Sequence, residues 1–485
     1  MTRSAFEVFN AFMLGYFFLL NAVYTLLVVL GWRGIKDYVK RRGMIDYKTI
    51  AGSELTTPIS IIVPAFDEEP VIVESVRAML RARYPRLEVV VVNDGSRDGT
   101  LQTLVDAFSL VAVERVPRAN LPTWPVRQVY VSATEPDLLV IDKENGGKAD
   151  SINAGLCFAR YPLFCTVDSD TLIDDDALVR LVRPFQVHPE TVACGGVVRI
   201  VNGSTLEGAH VAEVQTPRNP LVNIQIVEYL RAFLAGRVGW SRVGALLIIS
   251  GAFGLFRRQT VIDAGGYDAT TVGEDAELVV RLHRHCRERG EDYRVVFVAD
   301  PVCWTEAPSS LRVLARQRNR WHRGLIETLW RHRRMIGRRR YGAIGMFAMP
   351  YFVVFEALGP LIELAGYVAF GVAIGLGWVS TTVALAFIGL AFLYGMLLSF
   401  GALLIEEHAF RRYRSWRCML RLALAAVIEN IGYRQLSTLV RAKAFLTMTS
   451  RRKKREWGEM RRRGYAQTGS PPSAPTADEP LRRAA

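Results

Sequence analysis

The feature that most constrains this chain is the apolar stretch at residues 6–32, in which Glu7 is the one charged residue. About 20 consecutive apolar residues in a helix cross a bilayer, so the stretch predicts a transmembrane helix within residues 1–34. A group of basic residues follows it directly: Arg33, Lys36, Lys40, Arg41 and Arg42. Basic residues concentrate on the cytoplasmic side of membrane helices. The N-terminus is therefore predicted outside the cytoplasm, and the residues after Arg33 inside it.

The composition indicates a soluble domain joined to a membrane part. Hydrophobic residues make up 50% of the 485 residues, which is high for a soluble protein and low for a bundle of membrane helices. The net charge of +14 favours an anionic partner such as nucleic acid, lipid headgroups or a phosphorylated substrate, although positive-inside bias explains the same charge. Because no nucleic-acid-binding motif occurs, no nucleic-acid partner is expected. The six cysteines form no C-x-x-C pair, which predicts core thiols in a reducing compartment.

A regular alternation of short β-rich runs and amphipathic runs covers residues 58–308. The runs ISIIVPA, LEVVVVND and LFCTVDSD predict strands, and VIVESVRAMLRA, TLQTLVDAF and KADSINAGLCFARY predict helices. This βαβ order predicts an α/β, Rossmann-like domain with a mostly parallel sheet and helices on both faces. The runs VRQVYVS and LLVIDKE, separated by ATEPD, predict an added hairpin.

The sequence outside this domain is divided by its charge and hydropathy. The predicted parts are a cytoplasmic linker at 35–57, a basic amphipathic helix pair at the membrane surface at 309–340, a transmembrane hairpin at 341–406, an interfacial or re-entrant helix at 407–449, and a basic, then disordered, tail at 450–485. Charges within 407–449 also allow a span that lines a polar path. Glutamates in or beside apolar stretches favour such a path, or alternatively a site for lipid headgroups: Glu356, Glu363, Glu406 and Glu429.

Two acidic clusters follow consecutive predicted strands. They are VPAFDEEP at residues 63–70 and VVNDGSRDGT at residues 91–100. Ligands of parallel α/β sheets bind at the carboxyl ends of the strands, so both clusters indicate one site. Asp94 is suited to hydrogen-bond a uracil or a ribose. The alternative is that NDGS only forms a turn, which these residues favour in any case.

A third cluster, TVDSDT at residues 166–171, places Asp168 and Asp170 one residue apart at the end of an apolar strand. Alternate strand residues point the same way, so both carboxylates can face one cation. Hard oxygen ligands suit Mg²⁺ or Mn²⁺ bridged to a diphosphate. The alternative for this D-x-D pair is a solvated loop. The acids that follow, Asp174, Asp175 and Asp176, fit the N-terminal end of a helix.

Two further motifs lie on predicted helices. In GEDAELVVRLHR, residues 273–284, Glu274 and Asp275 begin a helix; they are candidates for a general base that deprotonates an acceptor hydroxyl, or simply N-terminal acids. In QRNRWHRG, residues 317–324, arginine and glutamine are suited to bind a leaving diphosphate and tryptophan to stack on a sugar. The alternative is a basic surface that faces lipid headgroups.

These five motifs, in this order and followed by apolar stretches, resemble the membrane-bound processive enzymes of glycosyltransferase family 2. That group includes the cellulose, chitin-oligosaccharide, hyaluronan and poly-N-acetylglucosamine synthases. The resemblance implies a GT-A fold, a UDP-sugar donor, Mg²⁺ or Mn²⁺ and an inverting reaction. Two residues depart from the family pattern: Asp67 stands where asparagine is usual, and Asn93 where a second aspartate often occurs. Both keep hydrogen-bonding capacity, so they bear on donor choice.

The resemblance also implies roles for individual residues. Asp275 would be the catalytic base, with Glu274 beside it. Asp168 and Asp170 would be the D-x-D pair, with Asp170 the preferred metal ligand. The Q-x-x-R-W motif, made of Gln317, Arg320 and Trp321, would close over the donor diphosphate and support the acceptor. The residues implied in donor binding are Ala65, Phe66, Asp67, Glu68, Asp94, Lys148, Asp150 and Asp168.

Three functions follow as hypotheses. The first is a polymerase that extends a glycan, with N-acetylglucosamine implied by the resemblance alone, and exports it through its own membrane channel. The second is a transferase that adds one sugar to a membrane lipid. The third is a non-catalytic membrane scaffold, which would leave five motifs unused. Because nucleotide sugars are made in the cytoplasm, the resemblance implies a catalytic domain on the cytoplasmic side of the inner (plasma) membrane. Accessory export subunits stay unidentified.

Overall fold

The computed structural model of the chain describes residues 3–207 and 210–448, and its strands form the centre of the molecule. The strands are β1 Ile59–Ala65, β2 Leu87–Asn93, β3 Leu110–Val113, β4 Val126–Ser132, β5 Leu138–Lys143, β6 Leu163–Val167, β7 Leu172–Ile173, β8 Thr191–Ile200, β9 Thr205–Glu207, β10 His210–Glu213, β11 Phe253–Arg257 and β12 Arg294–Thr305. The strands β9 and β10 pair with each other, and the rest form one sheet.

The large sheet runs in the order β3-β4-β5-β2-β1-β6-β11-β8-β12-β7. Its centre, β5-β2-β1-β6, is parallel, and β8 and β12 are parallel to each other. Only β4, β7 and β11, among the strands of this sheet that the structure describes, run against the others. The predicted mostly parallel α/β sheet is confirmed, and β4 and β5 form the predicted antiparallel hairpin.

The central strands are rich in Val, Ile and Leu on both faces because helices cover both faces of the sheet. Every residue of β2 is buried, as is every residue of β6. Such continuous Val-, Ile- and Leu-rich runs are typical of parallel strands with both faces covered. The helices of the domain pack in two cores, one on each side; α3, α4 and α6 belong to one, and α5 and α10 to the other. All six cysteines are buried and unpaired, as the sequence predicts.

The helices fall into those of the α/β domain and those that flank it. They are α1 Arg3–Arg42, α2 Tyr47–Gly52, α3 Ile72–Leu80, α4 Thr100–Phe108, α5 Lys148–Phe158, α6 Ala177–Val187, α7 Pro220–Tyr229, α8 Arg237–Arg242, α9 Arg258–Asp263, α10 Glu274–Arg289, α11 Leu311–Arg331, α12 Met349–Tyr351, α13 Gly359–Gly375, α14 Thr381–Ala409, α15 Trp416–Ile428 and α16 Arg434–Met448. Short π-helical segments adjoin several of them, at Leu230–Gly236, Ile344–Ala348 and Phe352–Ala357.

Two helices in the described part of the chain are long and apolar enough to cross a membrane, by length and composition. They are Phe6–Arg42 within α1, and α14. The segments Ile344–Ala357 and Gly359–Gly375 meet at a bend of 44° and would make a third span if they form one. Pro350 and Pro360 lie in this bent pair, and proline removes a helical hydrogen bond. The α/β domain is thus joined to an apolar helical region, as predicted.

The segment at 309–340 differs from its prediction. It holds one helix, α11, followed by the single 3₁₀ turns Arg333–Met335 and Arg339–Tyr341, and the predicted helix pair is wrong. The physical reason is glycine: Gly337 and Gly342 adopt positive φ of 70° and 59°, which ends helical progression between the arginines. Beyond residue 407, α15 and α16 are separated by a break at Gly432, where φ is 84°. The predicted tail at 450–485 lies outside the described residues.

The four glutamates near the apolar stretches all have polar partners within the protein. A charge in a membrane is costly unless it is paired, so these contacts account for the glutamates as structural groups. Glu356 pairs with Arg441 and accepts from Tyr24, Glu363 accepts from Thr438, Glu406 pairs with Arg199, and Glu429 pairs with Arg231. The pair of Arg199 and Glu406 joins β8 of the sheet to α14, and both side chains are 2% exposed.

Breaking this buried pair should cost more stability than replacing both partners. Arg199→Met leaves the Glu406 carboxylate buried without its cation, and such a change typically costs about 3–5 kcal/mol. The double variant Arg199→Met with Glu406→Leu removes both charges and should recover most of that loss. Thermal unfolding of the full chain in detergent would compare the two variants. If the single variant is as stable as the double variant, the pair does not hold β8 to α14.

Candidate functional site

Four parallel neighbours of the sheet end at the same edge, and the motifs follow them. Ala65 ends β1, Asn93 ends β2, Lys143 ends β5 and Val167 ends β6. The register pairs Ala65 with Asn93, and Asn93 with Asp142 beside Lys143. The backbone N–H of Asp94 donates to the carbonyl of Ala65 at 2.9 Å. The acidic clusters predicted to share one site therefore do lie together.

A buried lysine organises the loop after β5. The Lys143 ammonium, with its side chain fully buried, lies 2.8 Å from the Asp94 carboxylate and 3.1 Å from that of Asp150. Asp94 also accepts from the backbone N–H groups of Gly146 and Gly147, at 2.9 and 2.7 Å. Both carboxylates are thus engaged by the protein itself. Asp94 and Asp150 thus fix this loop, and the donor contacts that the resemblance implies for them stay a prediction.

Sequence reasoning missed Lys143, although a signal was present. In LLVIDK it is a lone cation at the end of an apolar strand, and a lysine is almost never fully buried unless it is paired. Its partners belong to two other motifs: Asp94 lies 49 residues before it, and Asp150 follows it on α5. Only a structure shows that all three meet.

The loop after β1 presents a mixed surface at the rim of the site. Ala65 and Glu68 are buried, whereas Phe66 is 38% exposed and stacks under the Arg97 guanidinium at 5.2 Å. Asp67, at a positive φ of 54°, accepts from the backbone N–H of Arg97 at 2.7 Å and pairs with its side chain at 2.8 Å. Burial alone would raise the pKa of Asp67, but these Arg97 contacts outweigh it and lower the pKa. Asp67 is therefore held as an anion.

The D-x-D pair follows β6 and faces Lys148 at the beginning of α5. Asp168 forms an ion pair with Lys148. Burial, followed by the nearby carboxylates of Asp168 and Glu306, raises the pKa of Asp170 to about 7 against the lowering effect of Lys148. A carboxylate crowded by other carboxylates favours a proton or a cation. The pair therefore fits a divalent cation with oxygen ligands, although the described residues contain no set of three or more His, Cys, Asp or Glu that could hold a metal.

A continuous chain of contacts links the D-x-D pair to the acids on α10. Lys148 Nζ donates to the carbonyl of Gly251 at 3.2 Å, and the backbone N–H of Gly251 donates to Asp275 Oδ2 at 2.9 Å. Asp168, Lys148 and Asp275 thus belong to one site. Burial would lower the pKa of Lys148, but Asp168 and the acids on α10 raise it overall. Burial, with a further contribution from the charge of Asp275, raises the pKa of Glu274 to about 7.

The fifth motif reaches the same site through a close contact between two glycines. A Cβ on Gly273 would lie 2.9 Å from the Cα of Gly324, so α10 and α11 meet where neither residue has a side chain. This contact places Arg320 near Glu274, whose pKa it lowers against burial. Gln317 Oε1 is buried and has no hydrogen-bond partner among the described residues. Trp321 is 37% exposed, and the Arg318 guanidinium lies over its ring, 4.5 Å from the ring centroid.

The structure therefore brings four of the five motifs into one charged cleft and places the fifth on its wall. Cationic groups from Lys148 and Arg320 lie among the carboxylates of Asp168, Asp170, Glu274 and Asp275. Such an arrangement can bind a diphosphate, hold a divalent cation and accept a proton within one site. Sequence reasoning missed Gly251, Gly273 and Gly324, because close backbone contacts leave no pattern in a single sequence.

Comparison with known proteins identifies the family of the chain. Residues 57–324 match the model of the family described as glycosyltransferase like family 2. The poly-beta-1,6-N-acetyl-D-glucosamine synthase of Staphylococcus epidermidis is 28% identical over 274 residues, 56% of this chain and 56% of that protein. The synthase of the same name from Staphylococcus aureus strain COL is 29% identical over 276 residues, again 56% of each chain. The match thus spans about half the length of these curated relatives.

Solved structures give weaker likenesses. The mannosyltransferase PcManGT from Pyrobaculum calidifontis, in complex with GDP-Man and Mn²⁺, aligns with 86% of this chain and 99% of its own at a TM-score of 0.47 and 21% identity. The S. aureus TarS 1–349 complex with UDP-GlcNAc covers 80% of this chain and 92% of its own at a TM-score of 0.38 and 15% identity. The family match includes every motif of the cleft, from the loop after β1 to Gly324. The chain, an α/β domain of GT-A type joined to apolar helices, belongs to glycosyltransferase family 2.

Proposed function

We propose that this protein transfers a sugar, with inversion, from a UDP-sugar donor to a growing glycan. The observation that carries the proposal is the series of contacts from Asp168 through Lys148 and Gly251 to Asp275. It puts the Lys148 ammonium, which would bind the diphosphate, and Asp275, the candidate base, in one cleft. The named relatives are poly-beta-1,6-N-acetyl-D-glucosamine synthases, which supports N-acetylglucosamine as the sugar. Phe66 and Arg97, at the rim, offer a flat apolar face and a cation for the base of the nucleotide.

The proposed reaction is a single displacement at the anomeric carbon. Asp275 accepts the proton of the acceptor hydroxyl, and the freed oxygen pair forms a bond to the anomeric carbon from the side opposite UDP. The bond from that carbon to the β-phosphate oxygen breaks, and its electron pair leaves with UDP. Lys148 and Arg320 stabilise the negative charge that develops on the diphosphate. Because attack and departure are on opposite faces, the product has inverted configuration.

Asp168 and Asp170 would hold the divalent cation, Mg²⁺ or Mn²⁺. The cation, when bound, neutralises charge on the leaving diphosphate. Asp170 is the better placed for this role, because burial and then the neighbouring carboxylates of Asp168 and Glu306 raise its pKa. A nearby cation offsets these effects and keeps Asp170 ionised.

Extension and export of a polysaccharide form the further part of the proposal. The wall that carries Trp321 is α11, which packs against α16, the last described helix: Arg441 lies 3.4 Å from His322 and Thr447 3.4 Å from Asn319. An acceptor that stacks on Trp321 would therefore extend toward the apolar helical region, where a channel would begin. The alternative, transfer of one sugar to a membrane lipid, would use the same cleft. The size of the product distinguishes the two reactions.

The experiment for this proposal uses membranes that contain the full chain. They are incubated with radiolabelled UDP-sugars in turn, with Mg²⁺ or Mn²⁺, and the products are separated by size. A high-molecular-weight product from UDP-N-acetylglucosamine is expected. A lipid that carries a single sugar would show that the protein glycosylates a lipid and does not extend a polysaccharide. No transfer from any UDP-sugar would contradict the proposal.

Orientation follows from the donor, since nucleotide sugars are made in the cytoplasm. We place the α/β domain and the tail at 450–485 on the cytoplasmic side of the plasma membrane. The N-terminus lies on the outer side. Single cysteines at Ser4, Ser380 and Ser470, after removal of the native cysteines, test this with an impermeant thiol reagent on intact cells. Ser4 and Ser380 should be labelled and Ser470 should not. Labelling at Ser470 would require one more crossing.

The pH dependence of the transfer rate should reveal the ionisation of Glu274. At saturating Mg²⁺, which keeps Asp170 ionised, Glu274 loses its proton as the pH rises through about 7. The new charge beside Asp275 favours proton transfer from the acceptor hydroxyl, so the rate should rise, by about tenfold if the barrier falls by about 1.4 kcal/mol. Since the folded-state pKa lies above the ordinary value for glutamate of 4.5, the folded protein keeps a proton that the unfolded chain loses, so the melting temperature should fall as the pH rises from about 4.5 to about 7 and level off above that.

The matched variant is Glu274→Gln, which keeps the shape of the side chain but does not ionise. Its rate should show no inflection near pH 7, and its melting temperature should fall less than that of the wild type between about pH 4.5 and 7. A variant that keeps the full inflection would assign it to a different group.

A further inference from the structure

A second concave site lies at the far end of α10, away from the cleft. It is a cavity of about 620 Å³ between the end of α1, the end of α6, α8 and the beginning of β12. The basic residues on which the argument depends line this cavity: Arg41, Arg183, Arg242, Arg287, Arg294 and His188. No acidic residue is among the described residues that line it. The proposed reaction uses none of these groups.

The charge of this cavity is only partly balanced. Arg242 pairs with Asp37 at 2.8 Å and Arg294 with Glu190 at 3.4 Å. The other three arginines, Arg41, Arg183 and Arg287, form no ion pair within residues 3–207 and 210–448. Like charges gathered on the walls of a concavity focus a positive potential and attract an anion.

The size and the charge together indicate the class of anion. Volumes of about 300–1,000 Å³ are typical of small-molecule sites. Guanidinium groups bind phosphate oxygens through two parallel hydrogen bonds. Three unbalanced arginines match the charge of a diphosphate better than that of a single carboxylate.

The cavity has a fixed wall, and that wall leads toward the cleft. His283 is 1% exposed; its ring bonds the Tyr293 hydroxyl at 2.9 Å and the carbonyl of Leu246 at 2.8 Å. Leu246 lies in the segment between α8 and Gly251, the residue that donates to Asp275. Arg287, on the same helix as His283, is therefore held on a fixed wall of the cavity.

We propose that this cavity is a binding site for a phosphate-bearing anion, separate from the donor site. The anion is either a free di- or polyphosphate compound or the headgroup of an anionic phospholipid. Arg41 stands nine residues beyond Trp32 on α1, about 14 Å along the helix. A headgroup at the inner surface could reach that depth, as could a molecule in solution.

Inorganic pyrophosphate is the probe. It is titrated by calorimetry into the full chain in phosphatidylcholine nanodiscs with EDTA and saturating UDP, which occupies the donor site, and the same titration is made for Arg183→Glu and Arg41→Glu. Arg41 is exposed at the end of α1, so its variant tests the site even if Arg183→Glu unfolds. Each should bind at least about tenfold more weakly, a loss of about 1.4 kcal/mol. The matched control is Arg127→Glu, an exposed arginine of β4 far from the cavity, which should bind as the wild type does.

A second arm separates the two sources of phosphate. In nanodiscs that contain phosphatidylglycerol, weaker pyrophosphate binding by the wild type identifies a lipid headgroup as the occupant, and unchanged binding identifies a free phosphate compound. Both results support the site. Equal affinity in the wild type, Arg183→Glu and Arg41→Glu, or no binding by the wild type, overturns it.

Discussion

Asp275→Asn is expected to lower sugar transfer by about 10²–10⁴-fold, while UDP binds with nearly unchanged affinity. The amide cannot take a proton from the acceptor hydroxyl, yet its oxygen can still accept from the N–H of Gly251, the contact that Asp275 Oδ2 makes at 2.9 Å. The variant therefore keeps the frame of the cleft and loses the base. Transfer is measured with UDP-N-acetylglucosamine, and UDP affinity by calorimetry.

The matched control is Asp292→Asn, at an exposed aspartate in the loop after α10. It should transfer sugar as the wild type does. Near-normal turnover by Asp275→Asn would remove Asp275 from the role of base. A parallel loss of UDP affinity would instead make Asp275 a structural residue that positions Gly251 and Lys148.

Asp170→Ala is expected to weaken metal-dependent UDP binding by at least about 100-fold, the upper end of the effect of losing an outer-shell partner of a metal ligand. Transfer should fall with it, because the diphosphate then leaves without its cation. In EDTA the variant should bind UDP no more weakly than the wild type, since the substitution removes a negative charge beside the diphosphate.

The comparison between EDTA and Mn²⁺ separates a ligand from a residue that only supports the fold. A structural residue would weaken UDP binding under both conditions. Undiminished transfer by the wild type in excess EDTA would refute the metal requirement. Asp292→Asn again serves as the control, because it removes a carboxylate outside the cleft.

The parts of the site that the sequence predicted are those that follow from periodicity. Strands that alternate with amphipathic helices form a parallel sheet, and parallel strands end at one edge. The residues after Ala65, Asn93 and Val167 therefore had to lie together, and they do. The placement of Glu274 and Asp275 in the first turn of α10 follows from the same pattern.

The parts that the sequence did not predict depend on contacts between distant segments. Nothing in the order of residues shows that Gly273 meets Gly324, or that Gly251 connects Lys148 to Asp275. The lysine partner of Asp94 and Asp150 was missed for a related reason: a motif identifies an important carboxylate, but only a structure shows the buried Lys143 beside it. The missing second helix at 309–340 reflects glycines whose backbone conformation a helical pattern does not show.

The most direct measurement for the central claim is a cryo-electron microscopy structure of the full chain in nanodiscs with UDP and Mn²⁺. The account predicts the diphosphate in the cleft between Lys148 and Arg320, with the metal on Asp170 and with Asp275 open to an acceptor beside Trp321. UDP bound at any other place on the chain, or a diphosphate in the cleft that touches neither Lys148 nor Arg320, would contradict it.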